Sequence, residues 1–280
     1  MRGFIFRLMW NHADAWGLAG MIAAAAVTLH HAWSWQAGAL VAAVMGATWI
    51  GFAFNDYCDA PIDAADPRKQ SRNPFIGIMP SRRVIVTVGI GIALAAPVLA
   101  YAVFAWRGIA VLVAGGLAAW AYSAPPLRLK SRPLFDLMAH AAFVQTFPYT
   151  ITLILLDLPF TPLDRALLAL FILASLGAQL EQQARDYAAE RDIERNFTTR
   201  YGQRTTAVLL RTITGLLGLA ALIFTLSGVF PAHLLPFAAI MLPVALHRFT
   251  RRADQPRDER LIRAALFAAL AYCGWWIVSG

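Results

Sequence analysis

Residues 50–63 read Ile50-Gly51-Phe52-Ala53-Phe54-Asn55-Asp56-Tyr57-Cys58-Asp59-Ala60-Pro61-Ile62-Asp63, an apolar run that ends in an amide and three carboxylates. A helical residue turns the chain by about 100°. Asn55, Asp56, Asp59 and Asp63 therefore fall within an arc of roughly 100° on one helix face. Like charges packed so closely repel, and ionisable groups at the end of a membrane-length segment are costly enough to imply a function. Hard oxygen donors on one face suit Mg²⁺, which keeps some waters and shares its shell with phosphate oxygens. Pro61 removes one backbone hydrogen bond and disfavours helix at Ala60, so Asp63 is expected beyond a kink.

The apolar run belongs to a larger pattern. Hydrophobic residues make up 59% of the 280-residue chain and charged residues 14%, whereas a soluble domain carries about a quarter charged residues. A bilayer-spanning helix needs roughly 20 mostly apolar residues. Nine segments meet or approach that length: 14–34, 36–57, 84–106, 108–124, 134–156, 164–184, 205–229, 231–247 and 261–279. The expected fold is an all-α membrane protein, with nine transmembrane helices around a central cavity and one domain over residues 1–280.

Charge placement sets the orientation. Of the 24 basic residues only Arg107 and Arg165 fall on one side of this topology. The rest lie in the amino-terminal arm and in the connections after the second, fourth, sixth and eighth spans. The positive-inside rule then places the amino terminus and these connections in the cytoplasm. The net charge of +8 is explained by orientation, and a nucleic-acid partner is not expected. Cys58 and Cys273 lie near opposite ends of their spans, which argues against a disulfide or a metal–thiolate site. Arg7, Asn11, His12 and Asp14 interrupt the first apolar stretch, so it reads as an interfacial lead-in rather than a secretory leader.

Two further stretches carry chemistry. In Arg185-Asp186-Tyr187-Ala188-Ala189-Glu190-Arg191-Asp192, Asp186 and Glu190 share a helix face. Alone this is ordinary helix surface. Its place at a span end, four spans after the first cluster, suggests two related halves facing each other across the cavity. The connections 64–83, 185–204 and 248–260 are polar and long enough to form structure over a site. In Tyr122-Ser123-Ala124-Pro125-Pro126-Leu127-Arg128-Leu129-Lys130-Ser131-Arg132-Pro133, cations recur at every second position. Alternation suggests an extended segment with Arg128, Lys130 and Arg132 on one side. Cations beside Mg²⁺ carboxylates fit an anion such as diphosphate between them.

Together these motifs resemble the UbiA superfamily of intramembrane prenyltransferases. Asn55, Asp56, Asp59 and Asp63 reproduce its Asn-Asp-x-x-Asp-x-x-x-Asp motif, and the Tyr122–Lys130 stretch reproduces Tyr-Ser-x-Pro-Pro-x-Arg-x-Lys. Asp186 and Glu190 stand where the family has Asp-x-x-x-Asp, with glutamate in place of the second aspartate. The resemblance implies Mg²⁺ held by Asn55, Asp56, Asp59, Asp186 and Glu190. It implies diphosphate contacts from Arg72, Tyr122, Arg128 and Lys130, with Asp63 as candidate acceptor of the released proton. The implied partners are an allylic polyprenyl diphosphate, a hydrophobic acceptor and the lipid bilayer. The implied setting is a prokaryotic cytoplasmic membrane with the site facing the cytoplasm.

Asp66-Pro67-Arg68-Lys69 and Tyr122-Ser123-Ala124-Pro125, with Arg132-Pro133 and Asp136, further resemble bacterial lycopene-elongase-like members, in which the acceptor is a carotenoid. Aromatic acceptors of quinone or chlorophyll type, and phosphoribosyl transfer to a polyprenyl phosphate, are alternatives within the family. A transporter is the alternative from another class. Transporter sites sit near the bilayer midplane, whereas these acids lie at span ends. His30 and His31 read as interfacial, and His140 and Gln145 read equally as helix packing or as cavity lining. The nine tryptophans read as interface anchors and packing.

Overall fold

The computed structural model describes residues 2–64, 70, 73–76, 81–255 and 257–279. Among them every regular element is helical. Ten α-helices follow in order: α1 Arg2–Trp10, α2 Ala13–Leu29, α3 Trp35–Asp63, α4 Arg82–Ser123, α5 Phe135–Ala141, α6 Phe147–Leu155, α7 Pro162–Glu190, α8 Phe197–Leu226, α9 Leu235–Thr250 and α10 Glu259–Ser279. A π-helical turn, Ala142–Thr146, joins α5 and α6 into one apolar stretch.

Among the described residues, seven helices are long and apolar enough to cross a membrane, and α2 is a shorter apolar helix of 17 residues. Helix α4 runs 42 residues but is broken at Ala105, whose φ of 50° and ψ of −143° leave the helical region. The break falls at the expected boundary between the spans 84–106 and 108–124. Taking α2 and each arm of α4 as spans gives nine. That count, and a cytoplasmic amino terminus, remain our proposal for how the helices cross.

The packing explains why so many small residues line α2. Ala19, Ala23 and Ala26 are buried, and a Cβ on Gly20 would stand 2.4 Å from Met45 Cγ of α3. Small side chains let apolar helices approach closely where no hydrophobic effect drives them together. Leu40 and Val44 of α3 and Ile151 of α6 complete that cluster; a second gathers Leu137, Leu180, Phe197, Leu210 and Ile213 from α5, α7 and α8. Helix α4 has no buried residue in its most apolar window and presents Val88, Leu94, Val98 and Leu99 outward. Apolar surface of that extent marks a lipid-facing element.

Helix starts follow the local sequence. Ser34 Oγ accepts from Ala37 N at 3.1 Å. Thr161 with Asp164, and Asn196 with Thr199, form capping boxes, each satisfying otherwise unpaired helix-end donors. Asp164 does more than cap. It is 1% exposed and also accepts from Tyr149 Oη at 2.6 Å and pairs with His30 Nε2 at 3.0 Å. His30 thus ties α2 to α7 at the end of the bundle away from the acidic motifs. Both cysteines are free, Cys273 buried and Cys58 half-buried.

Three local expectations need correction. Helix α3 continues to Asp63 with Pro61 inside its last turn, forfeiting the one backbone bond that Pro61 cannot donate. The connection expected over 185–204 shrinks to residues 191–196, because α7 runs on to Glu190 and the Asn196 cap starts α8 at Phe197. The stretch after α4 is not extended: Arg128 takes a left-handed conformation (φ 37°) and a 3₁₀ turn forms over Leu129–Ser131.

Candidate active site

The ends of α3 and α7 and the turn after α4 build the site. Asn55 lies one helical turn before Asp59, and its Nδ2 donates to Asp59 Oδ2 at 3.0 Å. The 3₁₀ turn brings two cations onto the same carboxylate. Arg128 donates to Asp59 Oδ1 at 2.9 Å, and Lys130 Nζ pairs with Asp59 Oδ2 and donates to Asn55 Oδ1 at 2.7 Å. Ser123 Oγ donates to the same amide oxygen at 3.0 Å. Arg132 points elsewhere and donates to Pro126 O. Alternation put all three cations on one side; the turn keeps only Arg128 and Lys130 there, because it rotates the third away.

Arg128 also links the two halves of the site. The guanidinium reaches Glu194 Oε1 at 2.7 Å in the connection after α7, and Ser131 Oγ donates to Glu194 Oε2 at 2.6 Å. Burial works to pull Arg128 down, but Glu194 and Asp59 together hold it above its ordinary value. Lys130 shows the reverse balance: burial pushes its ammonium below the ordinary value, against the opposing Asp59 charge. Tyr122 is half-buried between the clusters, within reach of Gln179 and of the charges on Asp59 and Glu190.

The remaining acids are held separately. Asp56, 5% exposed, accepts from Asn11 Nδ2 and pairs with His12 Nε2, both at 3.0 Å. Tryptophans fix that amino-terminal segment, with Trp16 Nε1 donating to Met9 O and Trp49 Nε1 to Leu8 O. Asp63 accepts from Asn73 Nδ2 at 2.9 Å, and the same amide donates to Asp56 O at 2.8 Å. On α7, Arg185 clasps Asp186 with two bonds of 2.9 and 2.8 Å, and Asn196 Nδ2 donates to Glu190 at 2.9 Å. Arg72 lies outside the described residues, as do Asp66, Pro67, Arg68 and Lys69.

Sequence reasoning missed Asn11, His12, Asn73 and Glu194. Their only signal was polarity beside a motif: Asn11-His12 opens the first span, and Glu194 lies four residues past Glu190. His140 Nδ1 lies against Ser175 O at 3.1 Å, joining α5 to α7. Asp136 is also structural here, fully buried and accepting from Gln183, Leu137 N and Phe197 N.

Comparison with known proteins now decides the family. The model of the UbiA prenyltransferase family matches residues 15–277. The chain belongs to the UbiA prenyltransferase family. It is accordingly a membrane-embedded prenyltransferase. No curated protein matches it. Among solved structures it is similar to a UbiA homolog from Archaeoglobus fulgidus bound to DMAPP and Mg²⁺, with a TM-score of 0.70 and 14% identity. The likeness covers 97% of this chain and 99% of that one; at such identity it concerns the fold.

Among the described residues no group of three or more His, Cys, Asp or Glu stands close enough to hold a metal ion. The donor chemistry nevertheless fits Mg²⁺ in kind. The first motif offers carboxylate and amide oxygens, and Asp56 and Asp186 are both buried carboxylates, which call for cationic partners. Cations of the chain occupy that role: Lys130 and Arg128 on Asp59, and Arg185 on Asp186.

Proposed function

We propose that this UbiA-family chain transfers a prenyl group from an allylic diphosphate to a hydrophobic acceptor within the membrane, releasing diphosphate and a proton, and that it requires Mg²⁺. The observation that carries the reading is the joint convergence of Arg128 and Lys130 on the Asn55–Asp59 helix end. Acids alone would suit a cation pathway. Acids interleaved with two immobilised cations suit an anion that arrives with its own metal. The A. fulgidus homolog is described as bound to both such a diphosphate and Mg²⁺.

Asn55, Asp56, Asp59, Asp186 and Glu190 would hold Mg²⁺, which when bound offsets charge on the departing diphosphate. Lys130 and Arg128 bind the same phosphate oxygens, exchanging an internal carboxylate for the incoming anion, and Arg72 adds to them. Heterolysis of the allylic carbon–oxygen bond leaves the electron pair on diphosphate. The donors of Lys130, Arg128 and the Tyr122 hydroxyl stabilise that charge because they are fixed before it develops. The allylic cation then forms a carbon–carbon bond with the acceptor, whose proton leaves to Asp63. The Tyr122 ring offers an aromatic face to the cation, and a cavity enclosed by apolar helices shields it from water.

Within this reading we favour a carotenoid acceptor such as lycopene, on the resemblance of Asp66–Lys69, Tyr122–Pro125, Arg132-Pro133 and Asp136, and a cytoplasm-facing site in a prokaryotic membrane, on the distribution of basic residues. Diphosphate release by the purified protein tests the proposal, with five-, ten-, fifteen- and twenty-carbon allylic diphosphates offered separately beside a membrane-lipid extract. Release that needs both Mg²⁺ and extract is expected, with the five-carbon donor preferred. No release from folded protein with any donor overturns it in favour of a sugar-diphosphate donor or a transporter.

A further inference from the structure

Outside the acidic site, helix α8 and the turn after α9 enclose an open groove of about 650 Å³ at the same end of the bundle. None of the acidic-site residues lines it. Arg204 and Arg211 stand on one face of α8 with Ala207 and Val208 between them, and Arg252 faces them from the turn. The acid in the lining is Asp254, 3.7 Å from Arg252 Nε, so the groove keeps a net positive charge. Arg211 donates from Nε and Nη2 to the carbonyls of Arg248 and Arg251, which fixes the turn against α8 and leaves Nη1 toward the groove. Arg204 is exposed and has no hydrogen bond or ion pair among the described residues.

The groove opens onto an apolar track. Below Arg204, α8 presents Val208, Leu216 and Leu219 outward, and α9 presents Leu246 and Phe249 beside it. The two helices meet where Gly215 lacks a side chain: a Cβ there would stand 4.0 Å from Phe249 Cζ. From Val208 to Leu219 the track descends roughly 16 Å at the helical rise, about half of a hydrocarbon core of roughly 30 Å. Orientation accounts for the number of arginines at this end of the molecule. It does not account for three of them, from two separate segments, meeting around an apolar floor that leads into the bilayer.

We propose that this groove is a binding site for an anionic phospholipid, its phosphate headgroup held by Arg204, Arg211 and Arg252 and one acyl chain lying along α8 beside Phe249. The headgroup sits where an interfacial cation is worth most to a lipid phosphate. The apolar track distinguishes a lipid from a soluble phosphate, which would gain nothing from it. The proposal is independent of the reaction catalysed at the acidic site.

Lipid retention by the detergent-purified protein, read by native mass spectrometry, tests it with phosphatidylglycerol and phosphatidylcholine of identical chains. Wild type is expected to retain phosphatidylglycerol in preference. The double variant Arg204→Ala/Arg252→Ala should bind it roughly thirtyfold more weakly, the loss of two interfacial cations. Neither side chain supports the fold, and unchanged thermal unfolding will confirm that. Val208→Trp fills the track without altering charge and should also weaken retention of phosphatidylglycerol. Equal retention of the two lipids, or no loss in the double variant, overturns the site. Displacement of the lipid by inorganic phosphate or diphosphate at equal concentration overturns the lipid assignment and marks a soluble-anion site.

Discussion

Helices α3 and α7 are each 29 residues long and each end in an acidic cluster, yet their carboxylates are held in opposite ways. Those of α3 are held from far along the chain. His12 and Asn11 reach back 44 and 45 residues to Asp56, and Arg128 and Lys130 reach 69 and 71 residues to Asp59. On α7, the bonds seen among the described residues are local, from Arg185 next to Asp186 and from Asn196 six residues beyond Glu190. A carboxylate paired through tertiary contacts is fixed by the whole bundle. One paired with its neighbour needs only a side-chain rotation to turn to another cation. Under the proposed function, the first cluster would serve as a preset receptor and the second would be the readier to rearrange around the diphosphate.

The comparison breaks first on the acids themselves. If both clusters serve one reaction, Asp56→Ala and Asp186→Ala should each cut turnover at least about 10³-fold, several kcal/mol of lost charge stabilisation. Steady-state diphosphate release from folded, membrane-inserted protein measures this, and wild-type turnover in either variant would show that cluster to be surface. The cations sharpen the contrast. Lys130→Met should cost roughly 10²-fold, as a preset donor to the departing charge is lost. Arg185→Met should cost less than about tenfold, because Arg185 only parks Asp186. Equal losses would mean that the two clusters are not built differently after all.

The smallest effect concerns the asparagines. Asn73 is 3% exposed and joins Asp56 O to Asp63, so Asn73→Ala removes both bonds and the acceptor of Phe75 N and should cost about 1–3 kcal/mol. Asn196→Ala removes the α8 cap and the bond to Glu190, at about 1 kcal/mol. Thermal unfolding of the two variants in detergent ranks them. A larger loss at Asn196 would reverse the assignment of the first cluster as the more rigid.

Much of this was legible in the residues. Long apolar runs imply helices wherever water cannot satisfy the backbone, so the membrane fold follows from composition. The spacing of Asn55, Asp56, Asp59 and Asp63 follows from the helical turn. The resemblance added Tyr122 to the site. Less legible was the shape of the Arg128–Arg132 stretch, since alternating charge fits both a strand and a tight turn. Only packing under the end of α3 selects the turn, and with it two cations of three.

What the sequence determined by itself is the class of protein and the kind of donors it brings, because both depend on residue type and on a periodicity no longer than one helical turn. The tertiary structure alone decided that Asp56 meets His12, that Glu194 joins Arg128 across the two halves, and that Arg204 and Arg252 face one groove. Those pairs lie between 44 and 66 residues apart. No local rule fixes which distant segments meet. That is settled by how small residues such as Gly20 let the helices close on one another, since a side chain there would push Met45 away.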